Sequence, residues 1–344
     1  MFALRTLLIR LMVAFGVIPA DSRATSPDVS RRRRAALSVC VGLMVVAAFQ
    51  VGLGWAVDTE RLPLRDPIYF DKLAAFHIHP AFFSPSPRPA DKPLTVLFVG
   101  SSRTLNAINA GAAGEELTRH LGRPVEAFNF GQAGAGPVTN AVYVRRLMQD
   151  GVKADFVLIE VHPVFLAGQR PDPPETRWLL PIRLRRDELP VVRAMGFPAS
   201  DPTVHGPRGL VAPWFEYRFL IVDRYAPFLL MNNSRLNGGH VSDRYGFARL
   251  QEVADPADQP HFLRLARAQY AEYFDGFRPN GCGVAAVRDT LERCRAAGWR
   301  AALVLMPESS EWLGWYPAEG LRELDAVVGG LSAEFGVPVI DART

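Results

Sequence analysis

The chain has 344 residues, 49% of them apolar, and a formal net charge of +4. That apolar share supports a sizeable core and excludes global disorder. Arg31–Arg34 account for the positive surplus, the remainder is close to neutral, and lysine is confined to Lys72, Lys92 and Lys153, so composition gives no nucleic-acid footprint.

Residues 1–34 read as a cytoplasmic segment. Its opening stretch is apolar but broken by Arg5 and Arg10, as in an interfacial helix or a stretch upstream of the true start. Ala35–Val57 carries no formal charge. At 1.5 Å per residue this run reaches roughly 35 Å, enough to cross a hydrocarbon core of ~30 Å. Arginines flank one end, and mixed charges (Asp58, Glu60, Arg61, Arg65, Asp66) flank the other. This asymmetry predicts a single-pass helix in the inner (cytoplasmic) membrane, with everything after residue 58 outside the cytoplasm. A cleaved signal peptide is the rival reading, although the run is long for one.

Residues 58–93 are Pro-rich and read as an irregular linker from membrane to domain. His77-x-His79 within it has metal-like spacing, but no metal site is expected there. Beyond it, apolar runs predict strands at Val96–Val99, Val125–Phe130, Phe156–Val161, Ala301–Met306 and Val337–Ile340. Helical spacing marks Ala110–Leu121, Val138–Asp150 (with Pro137 at its start), His261–Phe274, Cys282–Gly298 and Ala318–Phe335. The alternation predicts an α/β domain over 94–344, with a mostly parallel sheet of about five strands and helices on both faces. Residues 164–260 interrupt it with prolines, arginines and the aromatics Trp178, Trp214, Phe215, Tyr217 and Phe219. They read as a partly helical cap over the strand ends. Arg183, Arg185 and Arg186 read as a solvated face, with contact to an anionic glycan as the minor alternative. Cys40 lies in the membrane run. Cys282 and Cys294 are separated by roughly 18 Å if both are helical, too far to pair.

Ligands of parallel sheets bind outside the carboxyl ends of the strands. The first strand ends in Gly100-Ser101-Ser102-Arg103-Thr104. Ser102 has two readings, a nucleophile or a helix N-cap. A nucleophile needs amide donors for its oxyanion, and the N–H groups of Ser102 and of Gly134 are the candidates; Gly134 is otherwise a turn glycine. His162 is the one histidine at a strand end, and its other reading is structural. Glu308, after the fourth strand, either lines the cleft or lies in a solvated loop.

Gly100-Ser101-Ser102 resembles the first block of the SGNH (GDSL-type) hydrolase superfamily, with Ser101 where the family has aspartate. Asn129-Phe130-Gly131-Gln132-Ala133-Gly134 resembles its second block. The Gly-Ser-Ser-Arg-Thr form on an anchored chain is similar to the branch linked to acylation of exported polysaccharides. The resemblance covers roughly 94–344 apart from the insertion. It implies a three-layer flavodoxin-like fold and no cofactor. It makes Ser102 the nucleophile, with Ser102 and Gly134 amides at the oxyanion. Ser101, Arg103, His162 and Glu308 would line the cleft. The implied function is an esterase or O-acyltransferase acting on an acyl-ester, cell-envelope glycan or lipid substrate. The family's third-block asparagine has no counterpart here; His162-Pro163 follows the third strand. Its catalytic aspartate and histidine follow the fifth strand, where this sequence reads Ile340-Asp341-Ala342-Arg343-Thr344, so the chain as given is expected to be inactive. The alternative function is a non-catalytic anchored scaffold or glycan-binding protein of an export complex.

Overall fold

The computed structural model describes residues 27–84, 92–179, 183–199, 212–231, 242–249 and 255–343. The interfacial-helix reading of the opening stretch lies outside these residues, as do parts of the insertion. In chain order the helices and strands are α1 (Pro27–Asp58), α2 (Pro67–Phe76), β1 (Leu94–Val99), α3 (Ser102–Ala107), α4 (Ala110–Leu121), β2 (Val125–Asn129), α5 (Pro137–Gln149), β3 (Phe156–Glu160), α6 (Leu189–Ala194), α7 (Pro213–Tyr225), α8 (Gln259–Phe274), α9 (Gly281–Ala296), β4 (Arg300–Leu305), α10 (Ser310–Leu313), α11 (Ala318–Phe335) and β5 (Val339–Asp341). Two compact units emerge: α1 with the opening turns of α7, and the sheet-bearing remainder from Pro63 onward. Within α1, Arg31–Asp58 is long and apolar enough to cross a membrane, with a mean hydropathy of 2.2.

All five strands are parallel, in the order β2-β1-β3-β4-β5. The chain steps from β1 to one side and then crosses to β3 on the other. The strand order therefore reverses between β1 and β3, and the carboxyl ends at such a reversal are where ligands of parallel sheets bind. Alternate residues serve opposite faces. Leu97, Val99, Phe128, Val157, Ile159 and Leu303 join the main core with residues of α5, α9 and α11. Val96, Phe98 and Ala127 face a smaller core with Ala110 and Leu117 of α4. The continuous apolar run of β3 is what burial on both faces requires.

The stretch 58–93 is not an irregular linker throughout. Its prolines sit where helical turns begin. Asp66 caps α2 by accepting from Tyr69 N–H, and Pro67 takes a first-turn position, where no amide hydrogen is needed. Pro80 opens a 3-10 turn over Pro80–Phe83 in the same way. Tyr69, Phe76 and Phe82 are fully buried in the main core. Arg183 is also no solvated residue: it is buried and paired with Asp66 at 3.0 Å, because Asp66 and Tyr143 offer it a ready-made acceptor site. Cys282 and Cys294 both lie on α9 and are free thiols. The insertion is partly helical, as expected. Its portion at the strand ends includes the 3-10 turns Pro163–Leu166 and Pro174–Arg177.

Candidate functional site at the strand ends

The end of β1 is organised by a buried carboxylate. Glu160, the last residue of β3, accepts from Ser101 N–H (2.7 Å), Ser101 Oγ (2.6 Å), Thr104 Oγ1 (2.5 Å) and Thr104 N–H (3.3 Å). Gly100 makes this closure sterically feasible, since a Cβ there would lie 2.1 Å from Thr104 Oγ1 and 2.3 Å from Glu160 Oε2. Ser101 Oγ also accepts from Arg103 N–H at 3.1 Å. Ser101 is therefore the N-cap of α3, its extended backbone leaving the side chain free to turn back. The cap reading of Ser102 is displaced by one residue. Ser102 takes the first helical position, is partly exposed, and its Oγ has no hydrogen-bond partner among the described residues.

The second block lies beside the first because the β1–β2 pairing continues past the strands. Phe130 N–H donates to Phe98 O at 2.7 Å, and Gln132 N–H to Gly100 O at 2.9 Å. Asn129 fastens α3 to this loop: its Nδ2 donates to the carbonyls of Thr104 and Ile108, both at 2.7 Å, while its Oδ1 accepts from Gly131 N–H at 2.8 Å. Gly134 has φ +73°, and a Cβ there would meet the Trp178 ring at 2.4 Å. Both features demand glycine. Neither the Ser102 nor the Gly134 amide donates to an acceptor among the described residues.

Arg103 draws the other candidates together. Its Nη1 pairs with Glu308 Oε1 at 2.6 Å, and its guanidinium lies 5.3 Å from the Trp312 ring centre. Glu308 is not in a solvated loop: its side chain has 0% exposure. Burial pushes its carboxyl up, while Arg103 pulls it back only in part. His162 is buried between the rings of Phe165 and Trp312, at 5.0 and 6.2 Å. Burial and then the charge of Arg103 hold its pKa well below the ordinary 6.5, so it is neutral at physiological pH. His162 Nδ1 and Glu308 Oε2 have no hydrogen-bond partner among the described residues. From Gly134 to Arg103 an aromatic wall runs through Trp178, Tyr270 (ring centres 6.3 Å apart) and Trp312 (5.6 Å from Tyr270).

His77 and His79 make separate contacts. His77 stacks on Phe83, and His79 Nε2 lies 2.8 Å from the Arg244 carbonyl. Among the described residues no cluster of three metal-ligating side chains exists. Sequence reading missed Glu160, the fastening role of Asn129 and the Trp312–Tyr270 wall. A lone acidic residue inside the apolar run FVLIEV was the available signal for Glu160; the wall leaves no such mark, because its members come from α8, α10 and the insertion. It also missed a buried ionic cluster in which Asp66 pairs with Arg146 at 2.9 Å and with Arg183, and Arg146 pairs with Glu188 at 2.7 Å.

No protein-family model matches the chain, and no curated protein matches it.

Proposed function

We propose that, against the inactivity expected from the want of the family's aspartate and histidine after the fifth strand, the chain performs serine-dependent acyl-ester chemistry, as an esterase or O-acyltransferase, on a cell-envelope or exported glycan or lipid. In this reading the sheet-bearing unit is a three-layer, flavodoxin-like SGNH domain outside the cytoplasm, anchored in the cytoplasmic membrane by α1. One observation carries it: at a rim where Ser101, Thr104, Arg103 and Glu308 are all engaged, the Ser102 hydroxyl and the Ser102 and Gly134 amides are left unengaged. Ser102 Oγ attacks the acyl carbonyl carbon and passes its proton to a solvent water, which returns it to the leaving alcohol; the carbonyl oxygen becomes an oxyanion held by the two amides. The alcohol then leaves with a proton. Water or a sugar hydroxyl takes the acyl group from Ser102, which separates hydrolysis from transfer. The Trp178–Tyr270–Trp312 wall supplies flat apolar faces of the kind on which sugar rings or acyl chains lie.

A second reading, the non-catalytic scaffold or glycan-binding protein, is favoured by a different observation: among the described residues no histidine or carboxylate hydrogen-bonds Ser102. One experiment separates the two. The full chain is treated with a fluorophosphonate probe and assayed for nitrophenol release from a short-chain acyl ester. Serine chemistry predicts labelling and turnover that Ser102→Ala abolishes and a second-site serine such as Ser309→Ala leaves intact. Labelling that survives Ser102→Ala, or its absence in the wild type, favours the scaffold.

A further inference from the structure

The smaller unit holds a contact that a simple membrane anchor does not need. α7 begins against α1, not at its end but within the apolar run. Pro213 packs on Gly54, where an added Cβ would lie 3.2 Å from Pro213 Cγ. The Trp214 ring meets Phe49 at 6.0 Å, and Trp214 N–H donates to Gln50 Oε1 at 3.0 Å. Gln50 is about 12 Å below the Asp58 end of the helix and about 7.5 Å below Trp55.

Trp55 carries the Arg61 guanidinium 4.3 Å from its ring centre. That arginine–indole pair is the kind of group that settles at the headgroup level, with the ring in the interface and the cation in water. If Trp55 marks that level, Gln50 and the start of α7 lie beneath it. A helix N-terminus brought into hydrocarbon exposes amide donors that have no water to satisfy them. Here the chain removes two of them. Pro213 has no N–H, and the N–H of Trp214 is taken by Gln50, which also explains a polar glutamine within the apolar run. The side chains at this point suit the boundary between acyl chains and headgroups. Trp214 and Phe215 are large, apolar and 45% and 52% exposed, while the exposed Glu216 that follows them and Arg218, whose guanidinium lies 3.8 Å from the Phe215 ring centre, keep the insertion shallow, since both charges need headgroups or water within reach.

We propose that the N-terminus of α7 is a membrane-inserted element: Pro213, Trp214 and Phe215 enter the acyl region of the leaflet nearest Asp58, docked on α1 through Gln50 and Gly54. This rests on the reading of α1 as a membrane span. Its consequence is that the insertion is tied to the bilayer at a second point in the sequence, far from the anchor itself.

The test uses the full chain reconstituted in phosphatidylcholine vesicles with acyl chains brominated near the headgroup, against unbrominated vesicles. The Trp214 emission is the difference between wild type and Trp214→Phe; the Trp55 emission is the difference between wild type and Trp55→Phe. Insertion predicts that bromine quenches both contributions at least twofold. A variant that places a fluorophore beside Trp214 without removing it, Phe215→Trp, gains quenched emission. Gln50→Leu, which removes the acceptor, lowers the quenching of Trp214 about twofold while that of Trp55 stays. Quenching of Trp55 with none of Trp214 or of Phe215→Trp overturns the proposal and leaves the span standing. Quenching of neither overturns both.

Discussion

The two ends of α5 are held by buried carboxylates in opposite surroundings. At the N-terminus, Glu175 accepts from the amides of Gly136 (3.0 Å), Val138 (3.0 Å) and Thr139 (2.5 Å), and from the Thr139 hydroxyl. Toward the C-terminus, Arg146 is clamped between Asp66 and Glu188, and Asp66 also takes Arg183 and the Tyr143 hydroxyl at 3.0 Å. The first arrangement uses amides and a hydroxyl from one short stretch, Gly136–Thr139, and shapes the turn beside Gly134. The second uses long cationic side chains and joins three segments: the start of α2, the last turns of α5 and residues 183–188 of the insertion. Glu160, the last residue of β3, belongs to the first kind. Carboxylates satisfied by amides and hydroxyls thus shape the two turns that present Ser102 and Gly134, while the Asp66–Arg146–Arg183–Glu188 cluster holds the domain together behind them; Glu308, paired with Arg103 at the rim, is, among the described residues, the one arginine-bound carboxylate placed in the site.

Variants at each kind of position should separate stability from reactivity. Asp66→Ala strands Arg183 and half of Arg146 in a buried setting, and its expected cost is about 3–5 kcal/mol of unfolding free energy. Chemical denaturation measures it, and the folded fraction should still react with a fluorophosphonate at Ser102. A selective loss of labelling would break the division drawn above. Glu160→Gln replaces one acceptor oxygen with a donor that faces Ser101 and Thr104, at an expected cost of about 2–3 kcal/mol. In contrast to Asp66→Ala, it should lower the labelling rate at least tenfold in protein that remains folded, because the turn presenting Ser102 loses its fixed point. Gly134→Ala combines a left-handed backbone with an overlap against Trp178, and about 2 kcal/mol is expected. Its labelling should also fall, since the amide at 134 must move; an unchanged rate would remove Gly134 from the oxyanion.

Where these features could be seen in advance follows from the range of the interactions. Strand and helix positions were legible because they depend on local periodicity: Ala110–Leu121 and Ala318–Phe335 match the sequence reading residue for residue. The parallel sheet followed from alternation alone. Residues 67–83 were misread because proline count hid proline position, and at a helix start proline is compatible with the structure it breaks elsewhere. Arg183 was misread because its partner Asp66 is far away in sequence and an arginine-rich segment looks solvated. The serine pair was half legible. GSS at a strand end pointed to a cap and to a free hydroxyl, but which serine does which depends on Glu160, which only the β1–β3 pairing brings into reach.

The smallest effect tests the comparison most directly, through pH. Burial alone would raise the Asp66 pKa, but Arg183 and Arg146 outweigh it and hold the carboxyl below its ordinary 3.8. The unfolded chain then binds the proton first, so this stabilisation is complete above the unfolded value and is lost as pH falls through the folded one. Glu175 goes the other way. Burial raises it above 4.5, and the Thr139, Val138 and Gly136 donors bring it back only in part. The folded chain keeps a proton that the unfolded chain releases, so stability falls as pH rises from 4.5 through the folded value. Glu175→Gln removes that slope. It also removes the acceptor for the Val138 amide, at a cost of about 1 kcal/mol. Denaturation midpoints measured from pH 4.5 to 8 should therefore show a deficit for Glu175→Gln that is largest at the acid end and shrinks as pH rises. A deficit that grows with pH would mean that Glu175 is held as a charge, as Asp66 is, and that the two ends of α5 are gripped by the same physics.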